Sequence, residues 1–415
     1  MRRLLVLSYY FPPFGMSGVQ RTLKFVKYLP EFGWQPVVLT VAARGSYGYD
    51  PGLMDEVSRA EIHRTFSLDP LFLSPKGQRP IAAARRGWVA LANRLFVPDN
   101  KLGWIPFAVR KGREICRATP VDAIYSTAPP FSSHLAALRL KAKTGRPLVC
   151  DFRDDWTGNP LAAYASPWHR KLDLGLEDKV LAGADRVTAV NQGILDALQQ
   201  RHPQAGRDKF RLLPQGFDPS DFPPAPSKKS PEFLIAYTGT FVEKRSPEPL
   251  IRALALIRAK KPEIFAAIRV ALAGAHRRQD QLLVESLGMQ DQVYFPGFLP
   301  HRESVALLQR ADLLWLVIHP SEGSAVATGK IYEYLGAGRH ILASVPTDGQ
   351  AARLLEETRA GRAILPDDHQ TLAEAIRERF DRWEKGGRDF QPSVDQYNRR
   401  TIAGLLAGEL NGLCP

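Results

Sequence analysis

The sequence predicts an α/β protein with two parallel-sheet domains. Three observations predict it: a length of 415 residues, apolar runs alternating with helix-length amphipathic segments, and one proline-rich break. A chain this long exceeds one ordinary core. The runs "RLLVLSY", "QPVVLTV", "DAIYST", "RPLVCDF" and "DRVTAVN" fall in the first half, and "FLIAYTG", "AIRVALAG", "QVYFPG", "ADLLWLVI", "HILASV" and "RAILP" in the second. Continuously apolar strands separated by helices are the mark of parallel sheets covered on both faces. Residues 214–232, "PQGFDPSDFPPAPSKKSPE", hold six prolines and no periodicity, so the domain boundary belongs there. The reading is a first domain over 1–213, a linker over 214–232, a second domain over 233–388 and a tail, 389–415. The tail's helix, roughly 391–412, follows the last strand and could pack back on either domain.

Composition narrows the class. Hydrophobic residues at 44% and charged residues at 24% are those of a soluble globular protein. Three cysteines, Cys116, Cys150 and Cys414, lack a C-x-x-C spacing, which argues against a zinc site or disulfide frame and fits a reducing cytosol. The opening "MRRLLVLSYYFPPFG" reads as a buried strand, because tyrosines and prolines interrupt its apolar run and no small-residue cleavage site follows. No stretch approaches the roughly 18 apolar residues of a membrane span.

Charge is unevenly placed. Up to Arg211 there are 31 Lys+Arg against 18 Asp+Glu, and after it 25 of each, so the whole net charge of +13 lies in the first half. A half that meets an anionic surface accounts for this better than a basic background, which would shift both halves. Nucleic acid is disfavoured, since no recognised module is present and the aromatics are not interleaved with basic residues. The segment "RPIAAARRGWVALANRLF", 79–96, combines Trp88, Leu91, Leu95 and Phe96 with Arg85, Arg86 and Arg94. It suits an anionic membrane surface, or equally an ordinary helix packed on the sheet.

Parallel sheets bind ligands beyond their strand C-termini, and the unusual residues cluster there. Gly15 and Gly18 flank a turn opening a helix after the first strand, where backbone N–H groups can approach a phosphate; glycines also simply turn chains. This is not the G-x-G-x-x-G fingerprint, which disfavours a nicotinamide enzyme. "STAPPFSSH" ends another strand with His134, a candidate or a structural histidine. "CDFRDDW" places Arg153 and Asp154 just past buried residues, where charge is costly unless paired or facing a site. In the second half, "YTGTFVEKRSPEPLIRAL" sets Gly239 and Thr240 at a strand end and Arg245 before a helix, an arrangement suited to a diphosphate. "VYFPGFLPHRES" offers Gly297 and Phe298 to a flat base. "EGSAVATGKIYEYLGAGRH" runs from Glu322 through Ser324, Thr328 and Gly329 to Lys330 and Glu333, a glycine-bearing turn before a short helix. Two residues three apart share a helix face, so this is either a surface ion pair or an anion-holding helix start. No D-x-D or histidine cluster suggests a metal. Positive charge for a leaving diphosphate must then come from Arg245, Lys330 and a helix N-terminus.

This order of features resembles the GT-B glycosyltransferases, and within them family 4, the retaining, nucleotide-sugar-dependent enzymes. "LLPQGFDPSDF", "YTGTF…KRSPEPLIRAL", "FPGFLP" and "TGKIYEYLGAGRHIL" carry the likeness. It implies two Rossmann-like domains facing a central cleft, with the donor on the second domain and the C-terminal helix, 391–412, crossing back onto the first. Gly15 and Gly18 would lie near donor phosphates or sugar, Gly239, Thr240 and Arg245 around the diphosphate, and Gly297 and Phe298 by the base. The family's Glu-x7-Glu motif places its ribose-holding glutamate on Glu333. Its first glutamate falls on Ala325, and Glu322 or Ser324 would substitute for it at the sugar. Arg153 and Asp154, with His134, would act from the acceptor side, and "FRDDW" resembles the branch working on lipid-linked sugars for bacterial surface polysaccharides. The implied reaction is sugar transfer from a nucleoside diphosphate sugar, commonly UDP-linked, to an acceptor hydroxyl, with no cofactor and no metal. The implied location is cytoplasmic, peripheral on the inner face of the cell membrane. A sugar-nucleotide 2-epimerase of the same architecture and a non-catalytic sugar-nucleotide-binding homologue are the alternatives.

Overall fold

The computed structural model describes residues 1–415 except 16–17, 45–47, 70–71, 74–95, 160–161, 163, 223–230, 242–243, 323–327, 388–391 and 415. The segment 79–96 therefore lies outside the described residues but for Phe96, and so do Ser324 and Ala325. Two compact units form: Met1–Gln215 with Arg399–Pro415, and Gly216–Asn398.

The first unit holds a seven-stranded parallel sheet: β1 (Arg2–Leu7), β2 (Trp34–Val41), β3 (Glu61–Thr65), β4 (Ala123–Ala128), β5 (Leu148–Phe152), β6 (Arg186–Ala189) and β7 (Phe210–Leu212). Their order is β3-β2-β1-β4-β5-β6-β7. Helices α1 (Val19–Tyr28), α2 (Ile105–Ala118), α3 (Ser132–Thr144), α4 (Pro167–Gly183) and α5 (Gln192–Arg201) connect them. Leu4 to Leu7 and Val37 to Leu39 are wholly buried, as expected of strands covered on both faces. The edge strands β3 and β7 escaped the sequence reading. β3, "EIHRT", is half-buried throughout, and β7 spans three residues.

The second unit repeats the plan with β8 (Phe233–Thr238), β9 (Ile268–Ala273), β10 (Val293–Gly297), β11 (Leu313–Val317), β12 (Ile341–Ser344) and β13 (Gly361–Ile364), ordered β10-β9-β8-β11-β12-β13. Its helices are α6 (Glu248–Lys260), α7 (Pro262–Ala267), α8 (Arg278–Ser286), α9 (His301–Arg310), α10 (Gly329–Ala337), α11 (Gln350–Thr358) and α12 (His369–Glu384). All six strands coincide with the apolar runs read from sequence. In both sheets the order reverses direction next to the first strand, between β1 and β4 and between β8 and β11. Such switch points are where ligands bind in open α/β sheets.

Part of the proline-rich stretch is folded into the second unit. The Phe217 amide donates to the Tyr397 carbonyl at 3.0 Å. A Cβ on Gly336, in α10, would come within 2.6 Å of the Phe217 and Phe222 rings, so only glycine admits them. The last helix, α13 (Arg399–Leu413), belongs to the first unit. Ile402, Leu406 and Leu410, spaced four apart on one face, enter that unit's core, and Asn411 accepts from the Trp34 indole at 3.0 Å. Among the described residues no helix is long and apolar enough to cross a membrane.

Candidate active site

In the second unit, three adjacent strands end on glycines with positive φ: Gly239 after β8 (148°), Gly274 after β9 (118°) and Gly297 in β10 (78°). The Gly274 amide donates to the Gly297 carbonyl at 2.6 Å, and the Gly239 amide to that of Ala273 at 2.8 Å. A Cβ on Gly274 would stand 2.0 Å from the Gly239 carbonyl oxygen, and one on Gly239 would strike Nζ of Lys330 at 1.8 Å. The strand ends thus form a ledge without side chains. Sequence reading singled out Gly239 and Gly297 and missed Gly274, whose role follows from sheet order.

Lys330 enters this ledge from the first turn of α10. Its Nζ donates to the Tyr237 hydroxyl at 2.9 Å and lies 4.8 Å from that ring's centroid. Tyr237 in turn stacks on Phe241 at 4.5 Å. Burial against these rings pushes the Lys330 pKa down to about 7, helped by the positive charge of Arg245 and partly opposed by Glu333 and Glu322. Among the described residues Lys330 forms no ion pair. Arg245 grips Glu322 with both its Nε, at 2.8 Å, and its terminal nitrogen; the exposed Thr240 and Lys244 lie beside it in sequence.

The helix start itself suits an anion. Thr328 is the residue before α10, with no side-chain cap and no acidic residue in the first turn, and its buried hydroxyl has no hydrogen-bond partner among the described residues. Gly329 is exposed. Glu333 lies one turn further, half-buried, and faces Nε2 of His301 at 3.5 Å. His301, at the start of α9, was not foreseen. Phe298 is 67% exposed, a flat apolar surface beside Gly297. The structure therefore brings Gly239, Arg245, Glu322 and Lys330 together, with Glu333 on the same helix as Lys330.

In the first unit the candidate residues gather at the ends of β1, β4 and β5. A Cβ on Gly18 would meet the Arg153 guanidinium at 2.6 Å, and one on Gly15 would press on Asp50. Arg153 donates to the carbonyls of Ala128, at 3.1 Å, of Pro129 and of Gly18. That ties two backbone segments together, Ala128–Pro129 and Gly18, and commits most of its donors. Asp154 beside it is exposed. His134 is wholly buried in α3, with Nδ1 2.7 Å from the Ser126 hydroxyl and its ring against Phe152. Burial pushes its pKa down to about 3, so the ring is neutral.

A residue pair that sequence reading passed over ties this unit together. Arg21 of α1 and Asp151 of β5 form a doubly bonded pair at 2.8 Å, both essentially unexposed. Thr127 and Thr188 donate to the same carboxylate at 3.0 and 2.7 Å, and Arg21 also reaches the Leu213 and Pro214 carbonyls. Burial alone would raise the Asp151 pKa, but Arg21 and the hydroxyl donors outweigh it and hold the carboxyl below its usual range.

Two family models account for most of the chain. Residues 18–216 match the glycosyl transferase 4-like domain, and residues 220–388 match glycosyl transferases group 1. The chain is a family 4 glycosyltransferase of the GT-B fold. Solved structures of the same fold include HepE (Alr3699) of Anabaena in complex with UDP, at 17% identity and TM-score 0.60 over 100% of this chain and 97% of that one. Sucrose-phosphate synthase from Thermosynechococcus elongatus matches at 18% identity and TM-score 0.61, covering 100% and 95%. WaaG, a glycosyltransferase involved in lipopolysaccharide biosynthesis, matches at 14% identity and TM-score 0.59, covering 98% and 94%. We find no significant match among curated protein sequences.

Proposed function

We propose that this glycosyltransferase moves a sugar, with retention at the anomeric carbon, from a nucleoside diphosphate sugar to an acceptor hydroxyl. UDP-sugar is the favoured donor and a lipid-linked or cell-surface polysaccharide intermediate the favoured acceptor. One observation carries the donor half: Lys330 and the α10 N-terminus meet the glycine ledge at the β8/β11 switch point, with Arg245 near enough to act on the charge of Lys330. Cations, a helix start and a backbone free of side chains are what a diphosphate requires. The UDP complex of HepE supports uridine, and the lipopolysaccharide role of WaaG supports the acceptor class.

In this reading Glu333 accepts from the ribose hydroxyls, Gly297 and Phe298 border the base, and Glu322 lies toward the sugar. Thr240, Thr328 and Gly329 border the diphosphate. The leaving diphosphate takes the acceptor proton, so no protein nucleophile is required. Arg245 and Lys330 stabilise the charge growing on it, without a metal; removing either lowers turnover on the order of 10²–10³. On the first unit, Arg153 positions the backbone between Ala128 and Gly18, near Gly15, while Asp154 is open to an acceptor and His134 packs behind them. The basic excess of the first half supports an anionic membrane surface, at the inner face of the cell membrane, as that unit's partner.

A calorimetric screen of UDP, GDP, ADP and their sugars tests the donor half, with Glu333→Ala as control. Binding of one nucleotide class, weakened by that substitution, is expected; silence across all of them refutes the reading. Sedimentation with phosphatidylglycerol vesicles against phosphatidylcholine vesicles tests the surface. Salt-sensitive binding to the former alone is expected.

A further inference from the structure

Arg245 and Glu322 are 77 residues apart in the chain and meet at the ledge of the second unit. The guanidinium closes on the carboxylate through two parallel bonds. Behind it, the His319 amide donates to Oε1 of Glu322 at 3.0 Å, and only 17% and 11% of the two side chains is exposed. A guanidinium holds a carboxylate and a phosphate with the same fork of donors. It cannot give that fork to both at once.

A diphosphate site lined by cations also has a problem with its product. The free nucleoside diphosphate has lost the sugar ester, so its terminal phosphate carries one more ionisable oxygen than in the donor. Arg245 and Lys330 therefore attract product more strongly than donor, and release opposes turnover. Resting on the reading that Arg245 meets the donor diphosphate, we propose that Glu322 is an internal competitor for that diphosphate. It occupies Arg245 between turnovers, yields it to the incoming donor, and reclaims it as the nucleoside diphosphate leaves. The place of Glu322, anchored by the His319 amide at the foot of β11, keeps its carboxylate within reach of Arg245 throughout. Among the described residues Lys330 has no such rival: its nitrogen rests on the Tyr237 hydroxyl.

The experiment compares full-length wild type, Glu322→Gln and Glu322→Asp by calorimetry and stopped-flow, using whichever of UDP, GDP and ADP wild type binds. Glu322→Gln should bind that nucleotide roughly tenfold more tightly, the gain residing in slower dissociation, with the phosphate-free nucleoside bound as by wild type. Glu322→Asp, which keeps the charge, should stay near wild type. Unchanged or weaker binding by Glu322→Gln makes Glu322 a brace for Arg245 and overturns the proposal; equal tightening by both variants does the same. If wild type binds none of the nucleotides, the donor reading itself fails. Should Glu322→Gln not fold, the Arg245 Nε–H resonance of wild type decides: it should move on saturation with nucleotide, and an unmoved signal refutes the competition.

Discussion

Lys330 is the residue whose charge is most sensitive to its surroundings at the ledge. Burial and Arg245 lower its pKa to about 7 in the free protein, so below that pH the ammonium is present and above it the amine is mostly neutral. A bound diphosphate favours the ammonium and raises the pKa again. Binding above pH 7 must therefore take up a proton, and nucleotide affinity should fall by up to roughly tenfold per pH unit between about 7 and the pKa of the complex. Calorimetry in two buffers of different ionisation enthalpy, at pH 6 and pH 8.5, checks this. Proton uptake near zero at pH 6 and approaching one at pH 8.5 is expected, and Lys330→Met should abolish the difference. The motif "TGKIYE" showed the lysine but not its environment, because Tyr237 and Arg245 join it from elements about 90 residues earlier in the chain. The Arg245–Glu322 pair was hidden for the same reason. So was Arg21–Asp151, which spans 130 residues. Asp151→Asn would leave Arg21 a buried, uncompensated cation, at a cost of about 3–5 kcal/mol. Urea unfolding of that variant measures it, and a loss under about 1 kcal/mol would mean the other hydrogen bonds to Arg21 suffice.

At the scale of elements, the strands that were legible are those buried on both faces. "LLWLVI" and "FLIAYTG" are continuous apolar runs that only a covered strand accommodates. β3 and β7 were not legible, since an edge strand needs neither an apolar run nor length. The ledge shows how far element order carries a site. Gly239 and Gly297 stand out in sequence as turn glycines, yet Gly274 acquires meaning only because β9 lies between β8 and β10. Besides the Lys330–Tyr237 contact, α10 is joined to β8 by a buried bond: the Tyr334 hydroxyl accepts from the Thr238 amide at 2.9 Å. Tyr334→Phe removes that acceptor and strands the amide, costing about 1–3 kcal/mol. It also loosens the approach of Lys330 to Gly239. The variant should bind nucleotide several-fold more weakly, while Glu333→Ala, at the neighbouring helix position, should weaken binding without lowering stability. Paired melting and calorimetry separate the two.

Across the whole molecule, the two units have separate hydrophobic cores, and the last helix belongs to the core that is far from it in sequence. Ile402, Leu406 and Leu410 lie at 0–2% exposure in the first unit's cluster, whereas the second unit's clusters are built from residues 217–397 alone. Gly404 sits against the Phe32 ring, where a Cβ would approach to 3.0 Å, so α13 fits closely on the end of the first unit. Sequence alone gave a helix after the last strand with an apolar face open to either domain, and packing decides between them. Leu406→Ala should therefore cost the first unit about 2–5 kcal/mol, a large share of the roughly 5–15 kcal/mol that holds a domain folded. The second unit contributes none of the residues around Leu406 in that cluster and should keep its own transition. Calorimetric melting of the variant should show one transition lowered and one unmoved, the unmoved one being that which nucleotide raises. Nucleotide affinity below the lowered transition should stay within about twofold of wild type, since distant sites without shared partners add independently. A loss of affinity in step with the lost stability would instead mean that the glycine ledge depends on the first unit's core.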